Sequence, residues 1–271
     1  MTAVLTAPYD YAAQPKETLG GCPVCAMPNE SRRAIDRYGF EIGLSVCATC
    51  GLLYLNPRLT AEGYAAFYRG TYRDLLRAWT KRSRLSSPLS MEAHGLARGH
   101  MVGAFLQSAH ITATRIVDVG GSIGAFAQAL TKVLACPDVT IIDPNPDELS
   151  QAALRGFATQ CGMVEALPPS TCTYDLILCV EVADHWRDPI AALHWMRNAL
   201  APGGHLWIDI LNTPEVCKTW PLSVWKIDHP LYWTHHSFSE ALQRTGWCIT
   251  ARVSQEGSLR ARHLSYLCSG A

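Results

Sequence analysis

The stretch Arg115-Ile-Val-Asp118-Val-Gly120-Gly-Ser122-Ile-Gly124-Ala-Phe126 constrains this chain more than any other. Ile116, Val117 and Val119 form a short apolar run, as a buried strand requires. An acid and glycines end the run. Phe126, Leu130, Val133 and Leu134 then recur at helical spacing. A strand, a tight glycine turn and a helix N-terminus bring backbone N–H groups close to a ligand. The dinucleotide fingerprint G-x-G-x-x-G is missing. Counted from Gly120, its other two positions hold Ser122 and Ala125; counted from Gly121, they hold Ile123 and Phe126. A nicotinamide-binding enzyme therefore lacks its glycines here.

The pattern repeats downstream. Val139-Thr-Ile-Ile-Asp143 reads as a second strand ending in an acid, and Pro144-Asn-Pro starts a helix. A carboxylate at that place can accept both hydroxyls of a ribose. Thr159 to Gly162 reads as a weak third strand and Tyr174 to Val180 as a fourth. Glu181-Val-Ala-Asp184-His185-Trp-Arg-Asp188-Pro189 follows, then a helix through Ile190, Leu193, Met196 and Leu200. Pro202-Gly203-Gly204 turns into a strand from His205 to Leu211. Ser237-Phe-Ser-Glu240 has the form of a capping box for a helix ended by Gly246, and Trp247–Ser254 and Arg260–Cys268 read as two closing strands. Strands alternating with helices predict an α/β fold with a parallel sheet and right-handed crossovers. Ligands of such sheets bind beyond the carboxyl ends of the strands. Asp118 with Gly120, Asp143, and Glu181 to His185 all fall at such ends, so three elements converge on one crevice.

The N-terminal part follows different rules. Cys22-Pro-Val-Cys25 and Cys47-Ala-Thr-Cys50 are two C-x-x-C knuckles at the spacing of a structural four-cysteine zinc site. Each knuckle curls two thiolates toward one point, and two knuckles complete a tetrahedron. Four protein ligands leave no open position for catalysis. Between them Tyr38, Phe40, Ile42 and Leu44 alternate as in a small β-hairpin. So small a module needs the metal for its folding. The other cysteines are scattered among apolar neighbours and read as buried thiols.

The segment Asp118-Val-Gly120-Gly-Ser122-Ile-Gly124 resembles the D-x-G-x-G-x-G motif of class I S-adenosylmethionine (SAM)-dependent methyltransferases, with Ser122 in place of the middle glycine. The ending Asp143-Pro-Asn-Pro and the run from Asp175 through Asp188-Pro189 resemble the same family. Cys50-Gly-Leu-Leu-Tyr54-Leu-Asn56-Pro57-Arg58, followed by the aromatic segment Tyr64, Phe67, Tyr68 and Tyr72, is similar to a bacterial arrangement in which a zinc ribbon precedes such a domain. The resemblance implies a Rossmann-like sheet, bound SAM and a structural zinc on Cys22, Cys25, Cys47 and Cys50. It implies cofactor contacts from Asp118, Gly120, Ser122, Gly124, Asp143, Pro144 and Glu181, an adenine wall of Val164 and Glu165, and a roof of Tyr68 and Tyr72. His185 and His229 become the candidates for a catalytic base, with His235 and His236 reading as local. The implied acceptor is a small molecule: a sugar, a polysaccharide precursor or a secondary-metabolite intermediate. The implied organisation is an arm over 1–20, the ribbon over 21–58, a helical cap and linker over 59–110, and the SAM-binding domain over 111–271, with an aromatic lid insert at about 212–234. Arg73, Arg77, Lys81, Arg82 and Arg84 read as a solvated face or as an anion contact.

Equal numbers of acidic and basic residues give a formal charge of zero. That balance counts against an RNA methyltransferase whose ribbon grips RNA. A non-catalytic member that has lost cofactor affinity through Ser122 is the other rival. There is no apolar run long enough to span a membrane and no export-signal pattern in the first residues, which makes the cytoplasm the expected location.

Overall fold

The computed structural model describes residues 9–80, 88–136, 138–214, 224–254 and 263–271. Lys81, Arg82, Arg84, Cys217 and Trp220 lie outside the described residues, as do the first positions of the expected last strand.

Aromatic side chains fill the interior of the N-terminal part. Strand β1 (Lys16–Glu17) comes first, then the hairpin β2 (Asn29–Ile35) and β3 (Glu41–Cys47), then β4 (Leu53–Leu55) and β5 (Arg58–Leu59). The hairpin spans the two knuckles, as the alternation predicts. Its turn is organised by buried Asp36, whose Oδ1 accepts from Tyr38 N and Phe40 N, both at 2.9 Å. Helix α1 (Ala61–Gly70) is capped by Thr60, and α2 (Tyr72–Thr80) follows. Tyr11, Tyr38, Tyr64, Phe67 and Tyr68 pack with Ile42, Leu44, Leu55 and Leu75 into one core.

Helix α3 (Pro88–Ser108) leads to the second part. It lies against α4 (Ala125–Leu134), which follows β6 (Arg115–Val119). Gly95, Gly99 and Gly103, one per helical turn, let the two backbones approach. A Cβ on Gly99 would stand 2.2 Å from the Phe126 carbonyl oxygen, and one on Gly103 2.9 Å from Val133 Cβ.

The remaining elements are β7 (Asp138–Asp143), α5 (Pro146–Leu154), β8 (Ala158–Cys161), β9 (Tyr174–Cys179), α6 (Pro189–Ala199), β10 (Leu200–Leu211), β11 (Leu231–Tyr232), α7 (His235–Arg244), β12 (Trp247–Ser254) and β13 (His263–Gly270). Seven strands form one sheet in the order β12-β13-β10-β9-β6-β7-β8. β6, β7, β8, β9 and β10 run parallel, and β13 is antiparallel to both β10 and β12. This is the Rossmann-like class I arrangement. Successive residues of the central strands serve opposite faces. Val117, Ile177 and Cys179 join the core under α6, whereas Ile116, Leu176 and Leu178 join the core under α3 and α4. Burial on both faces explains the unbroken apolar runs. Asn145 caps α5 and Asp188 caps α6, each with proline in the first turn.

One expectation needs correction. The capping box of α7 is Thr234 with Ser237, three residues earlier than Ser237 with Glu240, because Thr234 is the last extended residue before the helix. The aromatic insert, in its described residues, is tied to the N-terminal part. β11 pairs antiparallel with β4 and makes a four-stranded sheet, β11-β4-β3-β2. Leu55 N donates to Pro230 O and Arg37 N to Trp225 O, both at 2.9 Å, and Ile227 N donates to Asp36 Oδ2 at 3.1 Å. Leu231 and Tyr232 thus belong to the sheet of the N-terminal part, and Val224, Ile227 and Tyr232 pack in its core.

Candidate active site

The strand order reverses between β6 and β9, and their carboxyl ends open onto a cavity of about 520 Å³. Asp118, Gly120, Ser122, Asp143, Pro144, Val164, Glu165, Glu181 and His185 line it from the sheet, and Tyr68, Tyr72 and Arg73 line it from α1 and α2. Gly124 and His229 do not. Gly124 has φ +76° and heads α4, and a Cβ there would press on the Phe157 ring at 2.8 Å, so it serves packing.

The bend itself is left-handed at three of its positions. Gly120 has φ +74°, and a Cβ on it would strike Val182 at 2.3 Å. Ser122 keeps φ +51°, the backbone a glycine would adopt there. Its N–H donates to Asp143 Oδ2 at 3.1 Å, and its hydroxyl donates to Glu148. Asp143 Oδ1 also accepts from Asn145 N at 2.9 Å. The Asp143 carboxylate is therefore fixed by two backbone donors and keeps lone pairs for a ligand. Burial pushes Asp143 up to about 6, against those N–H bonds. Asp118 is 2% exposed, and its Oδ2 has no hydrogen-bond partner. Burial, and then the neighbouring Asp143 charge, raise it to about 8. Glu165 holds Arg187 N at 3.0 Å, and its Oε2 is also buried without a partner. Unsatisfied buried oxygens around an open cavity are what a polar ligand site requires. This donor set fits an adenosyl cofactor: two acids at adjacent strand ends, bare backbone at the bend, and apolar Ile142 and Val164 beside them.

Two polar clusters flank the far end. Glu181, at φ +60°, accepts from His94 Nε2 at 3.0 Å and lies 3.6 Å from Arg98 Nε. Burial alone would raise Glu181, but His94, His263 and Arg98 together hold it down to about 2. Arg98 is 1% exposed and pairs with Asp209 on β10. The second cluster contains both histidines. Tyr68 Oη donates to Asp228 O at 3.1 Å and lies 2.8 Å from His185 Nδ1. The phenol has one proton and two acceptors in reach, Asp228 O and His185 Nδ1, and the tautomer of His185 follows which of them takes it. With the phenol proton on Asp228 O, His185 Nδ1 donates to Tyr68 and Nε2 is the unprotonated nitrogen. Burial holds His185 down to about 4, so the ring is neutral near pH 7. His229 stands behind it, with ring centroids 4.4 Å apart. Its Nε2 accepts from buried Lys226 Nζ at 2.5 Å, and its Nδ1 faces Asp184 at 4.0 Å.

Sequence reasoning missed Arg98, Lys226, Glu148 and Asp228. Arg98 and Glu148 sit on helices whose local pattern carries no site signal. Asp228 adjoins His229, and that pairing was the one available hint.

Away from the cavity, the four knuckle cysteines meet. Cys22 and Cys50 sulfurs are 3.5 Å apart, Cys25 and Cys47 3.4 Å, and Cys25 and Cys50 3.8 Å. A tetrahedron with metal–sulfur bonds of about 2.3 Å has edges of roughly 3.8 Å. Val24 N and Cys50 N point at Cys22 and Cys47 sulfurs at 3.4 and 3.5 Å. Four converging sulfurs that accept backbone N–H groups fit a divalent metal.

The family profile described as "Methyltransferase domain" matches residues 64–251. Among curated proteins, the chain is 29% identical over 126 residues to a ubiquinone biosynthesis O-methyltransferase of Idiomarina loihiensis, covering 44% of this chain and 50% of that one. It is 28% identical over 130 residues to the chloroplastic 2-methyl-6-phytyl-1,4-hydroquinone methyltransferase 2 of rice, Oryza sativa subsp. japonica, covering 46% and 33%. The chain thus spans a third to a half of the length of these relatives. Among solved structures, the magnesium protoporphyrin IX methyltransferase of Synechocystis PCC 6803, with bound S-adenosylhomocysteine (SAH), superposes with a TM-score of 0.57 at 12% identity, over 77% of this chain and 98% of that one. By the profile match over most of its length and by its sheet, the chain belongs to the methyltransferase domain family, with the class I SAM-dependent fold.

Proposed function

We propose that the protein transfers a methyl group from SAM to an oxygen of a small-molecule acceptor, and that Cys22, Cys25, Cys47 and Cys50 hold a structural zinc ion. Bound SAM supplies an electrophilic methyl on a sulfonium, so the protein's task is alignment, exclusion of water and proton removal. Asp143 would accept the ribose hydroxyls and the Gly120–Ser122 bend would carry the amino-acid end. Val164 and Glu165 would border the adenine.

The observation that carries the reading is the state of His185. It lines the same cavity as Asp118 and Asp143, burial keeps it neutral near pH 7, and its Nδ1 lies 2.8 Å from Tyr68 Oη, a contact that leaves Nε2 basic when Nδ1 carries the proton. A neutral imidazole with a free Nε2 takes the proton of a hydroxyl nucleophile. The relative named a ubiquinone biosynthesis O-methyltransferase supports an oxygen acceptor. Natural-product and sugar acceptors fall in the same chemical class of hydroxyl compounds. The test incubates the protein with SAM and panels of phenols, quinols and nucleotide-linked sugars, and measures SAH formation. Production of SAH by the protein but not by His185→Ala supports the reading; no acceptor-dependent SAH from any panel refutes it. Metal analysis of freshly purified protein should give one zinc per chain, and a chain without zinc overturns the metal assignment.

A further inference from the structure

Ser122 is a side chain where the bend calls for glycine, and its conformation is one that side-chain-bearing residues rarely adopt. The hydroxyl repays the distortion by a route closed to glycine, since it donates to Glu148 Oε2. Glu148 stands in the first turn of α5, 8% exposed. The same carboxylate takes a two-pronged bond from Arg73: Nε to Oε1 at 2.5 Å and Nη2 to Oε2 at 2.7 Å. Arg73 Nη2 also lies 3.5 Å from Ser122 Oγ. Parallel N–H bonds between a guanidinium and a carboxylate are strong and directional.

These three residues come from different parts of the molecule. Ser122 is in the bend and Glu148 follows the strand that carries Asp143. Arg73 is on α2, whose buried Leu75 belongs to the N-terminal core. Next to Arg73, Tyr72 lines the cavity, its ring 5.3 Å from Tyr68 and 6.1 Å from His185. The bridge therefore joins the roof helix to the floor that bears Asp143, and all three of its residues line the cavity.

We infer that Arg73, Glu148 and Ser122 form a clasp that shuts α2 over the bound cofactor. They are positioning residues: the clasp sets Tyr72 and Tyr68 against His185, and cofactor exchange requires the Arg73–Glu148 fork to open. Ser122 couples the clasp to the bend, so the side chain that departs from the glycine motif acts as a contact between floor and roof. This inference rests on SAM occupying the cavity as proposed above.

The experiment follows dissociation of SAH from the full chain by stopped-flow tryptophan fluorescence, with thermal melts as a check on folding. In Arg73→Ala and in Glu148→Gln the off-rate should rise at least tenfold. Arg73→Lys keeps the charge but loses the fork and should give a smaller rise. Ser122→Gly should raise it two- to threefold. The exchange Arg73→Glu with Glu148→Arg should return the rate to within threefold of wild type, which a merely structural role for either residue does not predict. Off-rates unchanged in folded Arg73→Ala and Arg73→Lys overturn the clasp while leaving the cofactor assignment intact. Failure of the wild-type protein to bind SAH at all overturns both. If Arg73→Ala and Glu148→Gln do not fold, Arg73→Lys and Ser122→Gly decide alone: wild-type rates in both refute the clasp.

Discussion

The two sheets of this molecule are held in different ways. The seven-stranded sheet buries aliphatic side chains on both faces, with Ile116, Val117, Leu176, Ile177 and Leu178 all fully buried. Its stability comes from apolar area removed from water. The four-stranded sheet has shorter strands, a tyrosine-rich core on one side and four converging thiols at one end. A unit of that size gains much of its folding free energy from a bound metal. The contrast teaches where chemistry is placed. Neither sheet alone holds the candidate base: His185 rises from the end of β9, but Tyr68, which contacts its Nδ1, and Asp228, whose carbonyl Tyr68 also reaches, belong to the other unit. In the proposed reaction the aliphatic sheet binds the cofactor, and the cysteine-bearing sheet completes the site.

Removing the metal should separate the two most clearly. Cys47→Ser should abolish zinc binding and unfold the N-terminal sheet, a loss on the order of 10 kcal/mol to that unit. Turnover should fall at least ~100-fold because Tyr68 loses its support, the scale of a lost general base. SAH affinity measured by calorimetry should fall less than ~10-fold, within about 1.4 kcal/mol. Equal loss of turnover and cofactor binding would break the division of labour. Within the completed site, His185→Ala should lower the turnover number by ~10²–10³-fold with SAH affinity nearly unchanged. A variant that binds SAH poorly would return His185 to a structural role.

On the cofactor side, Asp143→Ala should weaken SAH binding by roughly 10–100-fold, the range of about 1.5–3 kcal/mol for hydrogen bonds to a charged group. Unchanged affinity removes Asp143 from the site.

Acidity sharpens the comparison further. Because burial holds His185 down to about 4, its protonation should leave the rate flat from pH 6 to 8 and cut it only as pH approaches 4. An inflection near 6.5 that disappears in His185→Ala would contradict this. The smallest effect belongs to Asp118. Its folded value of about 8 stands above the unfolded value of ~3.9, so the native state binds the extra proton between those limits. Stability is then fullest near pH 4 and declines as pH rises toward 8. Asp118→Asn should leave the melting temperature of ligand-free protein nearly unchanged at pH 4 and raise it by ~5 °C at pH 8. A gain independent of pH would mean that Asp118 is not the titrating group.

Much of this arrangement was legible in the chain, for physical reasons that differ by region. Asp118 and Asp143 could be placed because a two-face-buried strand writes itself as an apolar run, and an acid at its end has few other uses. The knuckle cysteines were legible because metal geometry fixes their spacing. His185 followed from its position after a strand. The fork from Arg73 to Glu148 was not legible, since a pair so distant in sequence leaves no periodic trace. The stripe Gly95, Gly99 and Gly103 was present in the sequence, but a run of well-spaced glycines inside a helix reads first as weak propensity. The pairing of the insert with β4 was not legible either, since the free edge of β4 cannot be inferred from local pattern.

That borrowed strand carries a consequence for how the molecule is made. β4 waits for β11, which the ribosome reaches only after the whole parallel core has been translated. The portion synthesised first is thus completed only after the parallel strands have been made. Any attempt to lift the cysteine-bearing segment out as a portable cassette would carry away a sheet with one rail missing and leave the rest of the enzyme holding an orphaned rung.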